Sequence, residues 1–327
     1  MTSSALAVPG KGLFTQMLCV LLSRVPTSAE ITQALLLGTD AETRAAPGGR
    51  LWYEGGPLIV VPFAPERNGF ALIDVVERCW PDDLGMAEED PDLAAAWRIG
   101  HFGPGTWHGC LHRAAQHSWA WKAGGSVAVR HTAFLRIRLT YLLGIPGAVH
   151  RPYLASDPLT ELLFLSRLAG SLLTIRGALG CFQPAGESLR GAAFLEERLQ
   201  LHRHGGPPPL DLWTNVRYQP VDETAWVLMD TVGMSQFDLP DIEAAFPQAK
   251  EERYPLPEVE AFLRNAALRL VRTRQGMGAL PSLPDLPGPG GIPWRVQRFA
   301  EGFSSPPRPT LRFVPRTLPR PPAALRR

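Results

Sequence analysis

The stretch Val127–Leu143, VAVRHTAFLRIRLTYLL, decides the fold, because it is strongly prone to form a β-strand. Within it, Phe134, Arg136 and Arg138 alternate with Leu135, Ile137 and Leu139. Alternation with a period of two is typical of a strand, whose side chains point to opposite faces. We therefore expect a strand over this stretch.

Other signals extend this pattern to both sides. The continuous apolar run Met17–Leu22 predicts a strand that is covered on both faces. Asp157 and Pro158 are typical of a helix start, and the leucines that follow crowd nearly all faces, which predicts a central, buried helix. Ala178–Phe182 then predicts a strand. The same strand–helix–strand order occurs near the N-terminus and suggests a weak internal duplication.

We therefore predict an α+β fold with mixed sheets and helices, and the repeated order suggests two weakly repeated β-α-β units within it. A first module is expected over residues 13–125, and a second, packed on the first, over residues 126–275. Within the second, Leu212–Tyr218 and Ala225–Thr231 predict a hairpin, and Pro257–Gln275 predicts the last helix.

The composition separates a compact body from a basic C-terminal part. The chain has 327 residues, of which 33 are proline and 31 are glycine, and its hydrophobic fraction of 45% argues against wholesale disorder. Residues 281–327 hold twelve of the prolines, and eight arginines against two acidic residues. This part therefore carries +6 and leaves −4 for the rest of a chain whose net charge is +2. We predict a Pro/Arg-rich extension over residues 276–327, with Arg308, Arg316 and Arg320 as candidate contacts for a partner.

Cysteine usage and hydropathy predict the compartment. The four cysteines are isolated, in apolar or aromatic contexts, and no Cys-x-x-Cys motif occurs. Buried free thiols fit a reducing cytoplasm best. No apolar run approaches the ~18 residues of a membrane span. We therefore expect a soluble cytoplasmic protein that does not bind membranes.

A segment rich in histidine and tryptophan follows the first module's strands. A helix is predicted over Trp107–Trp121, in which His108 and His112 stand at i and i+4 and are weak candidates for a metal site. The intervening residues supply no acid, so packing beside the tryptophans is the competing interpretation. Candidate partner-binding residues here are the aromatic side chains Trp107, Trp119 and Trp121.

Four residues are weak candidates for catalysis: His131, Glu187, Asp230 and Ser235. Ser235 lies in Gly233-Met234-Ser235-Gln236-Phe237, which is similar to a nucleophile elbow but lacks its last glycine. The histidine of that hydrolase fold comes last in the chain, and no histidine follows His204 here. Three of them also have a structural interpretation: His131 as a satisfied core histidine, Asp230 as a strand end and Ser235 as part of a turn. No nucleotide motif is present, and no cofactor is expected.

The acidic residues after Ser235 predict a strand-to-helix corner. We interpret Asp238 and Asp241 as helix caps, and proline at position 240 is compatible with the first turn of a helix. We therefore expect a helix from Asp238 through Ala245.

Two segments resemble a bacterial domain-of-unknown-function family. They are GALGCFQPAGESL, residues 177–189, and MDTVGMSQFDLPDIEAAF, residues 229–246. Cys181 and Gln183 depart from the aromatic residue and asparagine of the family pattern. The resemblance implies a small cytoplasmic α+β protein, and it brings no activity or catalytic residue to this chain. Some families of this kind accompany secreted toxins as immunity proteins or adaptors.

The leading hypothesis is a non-enzymatic bacterial protein that binds another protein, as an immunity protein or adaptor for a secreted toxin or secretion system. An enzyme of unrecognised class, with a site near His131, Asp230 and Ser235, is the alternative. Nucleic-acid binding through the basic extension is the third and least favoured hypothesis. The sequence leaves the oligomeric state open.

Overall fold

The chain divides into two compact units, Gly10–Trp213 and Thr214–Arg327. The computed structural model describes residues 11–36, 42–44, 58–83, 90–143, 157–221, 224–248, 254–273, 287–318 and 321–326. The expected α+β class is confirmed, since both units combine helices with a sheet.

The N-terminal unit is built on an antiparallel seven-stranded sheet. Its strands in chain order are β1 (Gln16–Leu22), β2 (Glu42–Arg44), β3 (Leu58–Ala64), β4 (Gly69–Val76), β5 (Ala133–Thr140), β6 (Ala178–Gln183) and β7 (Ser188–Arg190). Their order across the sheet is β2-β3-β4-β5-β1-β6-β7. Strand β5 thus lies between β4 and β1, so strands from the two predicted modules share one sheet.

Helices cover both faces of this sheet. They are α1 (Ser28–Leu35), α2 (Pro91–Arg98), α3 (Cys110–Gln116), α4 (Gly124–Arg130), α5 (Pro158–Leu172), α6 (Ala192–Arg203) and α7 (Leu210–Trp213). Residues of α2, α3 and α4 form one core cluster with Met17, Cys19 and Leu21 of β1. Helix α5 contacts β1 and β5. The remaining residues of β1, which alternate with Met17, Cys19 and Leu21, are also buried. The strand predicted to be covered on both faces is therefore confirmed.

The C-terminal unit has a mixed five-stranded sheet. Its strands are β8 (Asn215–Pro220), β9 (Trp226–Val232), β10 (Asp241–Pro247), β11 (Trp294–Phe299) and β12 (Thr310–Pro315), in the spatial order β11-β12-β10-β9-β8. Strands β10 and β12 run parallel, and the other neighbours are antiparallel. Helix α8 (Leu256–Thr273) packs on β9 and β10. The predicted hairpin and last helix are confirmed.

Two predicted elements are wrong in type or extent. Residues 124–130 form helix α4, so the strand expected from Val127 begins only at Ala133. The helix expected over Asp238–Ala245 is instead strand β10. Ile242, Ala244 and Phe246 alternate along it and are fully buried, and pairing with β9 and β12 outweighs the capping signals. Asp238 caps no helix: it has a left-handed φ of 54° and ends a 3-10 turn, Met234–Phe237.

The Pro/Arg-rich part predicted as an extension contributes two strands to the C-terminal sheet where the structure describes it. Strand β12 lies between β10 and β11, in the interior of the sheet. The described prolines around β11 and β12 lie at strand ends and in the connection between these strands. Their missing N–H groups therefore interrupt no hydrogen bond between paired strands. The apolar residues Leu311, Phe313 and Val314 supply the strand signal that the high proline content obscured.

Two glycines of the segment 177–189 are required by close packing. A Cβ at Gly180 would lie 2.6 Å from Cη2 of Trp121, and a Cβ at Gly186 would lie 1.7 Å from the backbone oxygen of Trp213. The second contact is to backbone, which cannot swing aside. Local packing thus accounts for these two residues of the segment.

We expect Gly186→Ala to lower the free energy of unfolding by at least the ~1–3 kcal/mol typical of overpacking, because the new methyl group collides with a fixed carbonyl. Gly125→Ala is the matched control. Gly125 lies in α4, and a Cβ there meets nothing within 4 Å, so its stability should stay equal or rise slightly. Urea denaturation measures both. Equal stability of the two variants would show that the close contact at Gly186 has been misassigned.

Candidate functional site

His131 joins helix α4 to strand β5 and has no free ring nitrogen. Its Nε2 accepts the backbone N–H of Trp80 at 2.7 Å, so Nδ1 carries the proton and donates to the carbonyl oxygen of Ala128 at 2.6 Å. Burial lowers the pKa of His131 and favours this neutral form. The contacts support the structural interpretation of this residue.

Glu187 is an internal ion-pair partner. Its side chain is buried, and Oε1 lies 2.8 Å from Nε and 2.7 Å from Nη2 of Arg113. Arg113 belongs to α3, so this pair ties α3 to the turn between β6 and β7. Glu187 also holds a left-handed φ of 47°, as part of that tight turn.

Asp230 belongs to a row of charges that crosses the C-terminal sheet. Arg217, Asp230, Glu243 and Arg312 are direct partners on β8, β9, β10 and β12, and we call them the charged row. Residues opposite each other in a sheet share a face. Arg217 binds both oxygens of Asp230, at 3.1 and 2.6 Å, and Arg312 Nε lies 2.7 Å from Oε2 of Glu243. All four side chains are buried.

Arg308, predicted to contact a partner protein, forms ion pairs with carboxylates at the charged row. Its Nη2 lies 3.4 Å from Asp230 Oδ2, and its Nε lies 3.0 Å from Asp241 Oδ2. Asp241 also accepts hydrogen bonds from Thr231 and from the N–H of Met234. Burial nevertheless raises the pKa of Asp241 to about 6. The binding candidate Arg308 is therefore buried and ion-paired with internal carboxylates.

The other tail arginines and Ser235 complete the set of candidates. Arg316 is exposed, and Arg320 lies outside the described residues. Ser235 is half-buried in the 3-10 turn after β9, where its carbonyl accepts the N–H of Asp238. His131 and Glu187 belong to the N-terminal unit, whereas Asp230 and Ser235 belong to the C-terminal unit.

The histidine pair considered for a metal does not share a helix face. Helix α3 begins at Cys110, so His108 precedes it, and the His108 ring packs edge-on against Trp97 with centroids 5.7 Å apart. Nε2 of His112 pairs with the amide of Gln116 at 2.9 Å. Within the described ranges, no three His, Cys, Asp or Glu side chains are grouped to hold a metal ion.

The three candidate tryptophans differ in exposure. Trp121 packs against the core cluster and against Gly180 and Gly191, so it is a structural residue. Trp107 is 42% exposed and Trp119 is 66% exposed.

Beyond Trp119, the exposed residues Ser126, Val129 and Arg130 lie on one face of α4, at i, i+3 and i+4. We call Trp119, Lys122, Ser126, Val129 and Arg130 the Trp119 segment.

Two buried polar groups were missed by sequence reasoning. Asp74 of β4 pairs with Arg136 and Arg138 of β5, and Glu161 of α5 accepts the hydroxyl of Tyr141 at 2.9 Å. Burial raises the pKa of Glu161. The available signal was the presence of two arginines on alternate positions of an apolar strand, because a buried guanidinium requires an anionic neighbour.

Comparison with known proteins adds no family assignment. The chain matches no protein-family model, no curated protein and no solved structure. None of the helices in the described residues has the length and apolar character needed to cross a bilayer. The family resemblance of residues 177–189 and 229–246 therefore stays a prediction.

We expect Asp230→Ala to lower the free energy of unfolding by ~3–5 kcal/mol, since it leaves Arg217 buried without its counter-charge. The matched control is Glu260→Ala, which removes an exposed i,i+4 pair with Arg264 in the same unit and should cost less than ~1 kcal/mol. Chemical denaturation of both variants tests this. A cost for Asp230→Ala no larger than that of the control would show that the charged row contributes little.

The pKa of His101 makes stability depend on pH. Burial, and then the charge of Arg138, lowers the pKa of His101 to about 4, from an ordinary value of 6.5. The unfolded chain therefore binds the proton first, and stability is lost as the pH falls from about 6.5 towards 4. The loss from this residue is on the order of 2–3 kcal/mol.

His101→Gln isolates this contribution, because glutamine can still accept from Arg138 but does not titrate. We expect the free energy of unfolding of the variant to fall less than that of the wild type between pH 7 and pH 4. Asp241 has the opposite sign, since its raised pKa favours the folded state on acidification, and it affects both proteins equally. Parallel pH profiles for the two proteins would contradict the assignment.

Proposed function

We propose that this protein acts by binding another protein, and that the Trp119 segment is its contact surface. The observation that carries the proposal is the exposure of Trp119, because 66% of a large aromatic side chain faces solvent. Trp80, Trp213 and Trp294 are buried in the same chain. Aromatic residues and arginine are the preferred anchors of protein interfaces, and Val129, at 85% exposure, adds apolar surface.

Charge indicates the chemistry of the partner. The Trp119 segment contains two basic residues and no acidic one. Lys122 and Arg130 of the Trp119 segment are both exposed. Exposed basic side chains in the same segment as an aromatic anchor favour an acidic protein face, which they also attract over distance.

Contacts of the candidate catalytic residues support binding over catalysis. His131, Glu187 and Asp230 each have hydrogen-bond or ion-pair partners that explain their burial without a reaction. Arg308 and Arg312 are likewise committed to internal carboxylates, which removes charge that nucleic-acid binding by the C-terminal part would need. Protein binding is therefore the hypothesis we favour over both alternatives.

The finer role remains the one suggested by the sequence. We propose a bacterial cytoplasmic protein that serves as an immunity protein or adaptor for a secreted toxin or secretion system. Four free cysteines, three of them buried, fit a reducing compartment. The resemblance of the two segments to a bacterial family supports the origin.

Affinity capture at endogenous level from the native host tests this function. We expect the wild type to recover one specific partner with an acidic face, and Trp119→Ala to reduce its recovery at least tenfold, as hot-spot truncations do. Leu201→Ala on α6 is the matched control, because Leu201 is an exposed apolar residue outside the segment. Recovery of no specific partner, or equal recovery by the Trp119→Ala variant, would contradict the proposal.

A further inference from the structure

Among the described residues, the buried cluster of Asp74, Arg136 and Arg138 in the N-terminal unit holds two arginines against one carboxylate. Arg136 donates to both oxygens of Asp74, and Arg138 Nη2 lies 3.1 Å from Oδ1 of the same carboxylate. Arg136 and Asp74 are fully buried, and the Arg138 side chain is 5% exposed. Two guanidinium groups therefore share a single carboxylate inside the protein.

The described neighbours do not remove this excess. His101 Nδ1 lies 3.2 Å from Arg138 Nη1 and accepts from it, so His101 is neutral. Cys19 stands directly opposite Arg136 on β1, and burial raises the pKa of its thiol, so it carries no negative charge either. Phe14 lies 4.6 Å from the Arg138 guanidinium and offers a ring face, which attracts a cation without neutralising it.

Two N–H donors of the cluster are still available to an anion. Arg136 Nη1 and Arg138 Nε are buried and have no hydrogen-bond acceptor among the described residues. Nη1 lies on the side of the Arg136 guanidinium that does not face Asp74, because Nε and Nη2 bind the carboxylate. A buried guanidinium with a free donor and an unbalanced charge is unfavourable unless an anion accompanies it.

We propose that this cluster is an internal binding site for a small monovalent inorganic anion, of the size of chloride. The anion accepts a hydrogen bond from Arg136 Nη1. Together with the Asp74 carboxylate, it balances the charges of the two arginines. Small size is required because Arg136 has no exposed surface. A single charge is required because the excess is one. A water molecule could accept the same hydrogen bond but would leave the charge unbalanced.

The test is the stability of the full-length protein at constant ionic strength, with sodium chloride exchanged for sodium gluconate, whose anion is too large for the site. We expect the urea midpoint to rise with chloride along a saturating curve, as binding to the folded state requires. Bromide should act in the same way. A response that is flat, or that rises linearly without saturation, would overturn the proposal.

Two variants locate the effect. Arg136→Met leaves Asp74 and Arg138 as a balanced pair, so the chloride response should vanish. Arg203→Met removes an exposed arginine at the end of α6, in the same unit, and should keep the wild-type response. A saturating response that persists in Arg136→Met would place the anion elsewhere and would overturn the proposal.

Crystals of the wild type grown in bromide keep the proposal testable if Arg136→Met does not fold. We expect an anomalous peak within ~3.5 Å of Arg136 Nη1, as a hydrogen-bonded halide requires. The absence of a peak at this position in fully exchanged crystals would overturn the proposal.

Discussion

Pairing of arginine with carboxylates inside two sheets is the constraint on which this structure depends. Asp74 and Arg136 face each other on β4 and β5, and the charged row crosses four strands of the C-terminal sheet. A slip of one residue turns every side chain of a strand to the other face. Such a slip would leave these charges buried without partners, at a cost of several kcal/mol. The ion pairs therefore disfavour a shifted register, as the buried apolar residues also do.

The same constraint decides which residues are available for function. Asp230 and Arg308 are of residue types that occur in catalytic and binding sites, yet both form ion pairs within the C-terminal unit. Glu187 is matched by Arg113 in the N-terminal unit. The exposed aromatic side chain of Trp119 is not committed to such an internal pair, and the proposed contact surface is built around it.

Sequence reasoning succeeded where one signal dominated. The apolar run of β1, the capped apolar helix α5 and the amphipathic helix α8 follow from local pattern. It failed at β10 and β12, whose turn residues and prolines suggested a helix and an irregular tail. The decisive facts there are long-range, because Glu243 and Arg312 meet only when distant segments pair. The exposure of the tryptophans could not be predicted from the sequence either. Trp119 and Trp121 are two residues apart, but Trp121 packs against Gly180 and Gly191, which are distant in the sequence, whereas Trp119 is exposed.

A double-mutant cycle on Glu243 and Arg312 tests the central claim most directly. Glu243→Gln, Arg312→Met and the double variant are compared by urea denaturation. If the register rests on this pair, the double variant should be more stable than the sum of the two single losses implies, with a coupling energy of ~1–3 kcal/mol, as for residues that share a buried ion pair. Additive losses, within ~0.5 kcal/mol, would show that the two charges do not stabilise each other and would contradict the account.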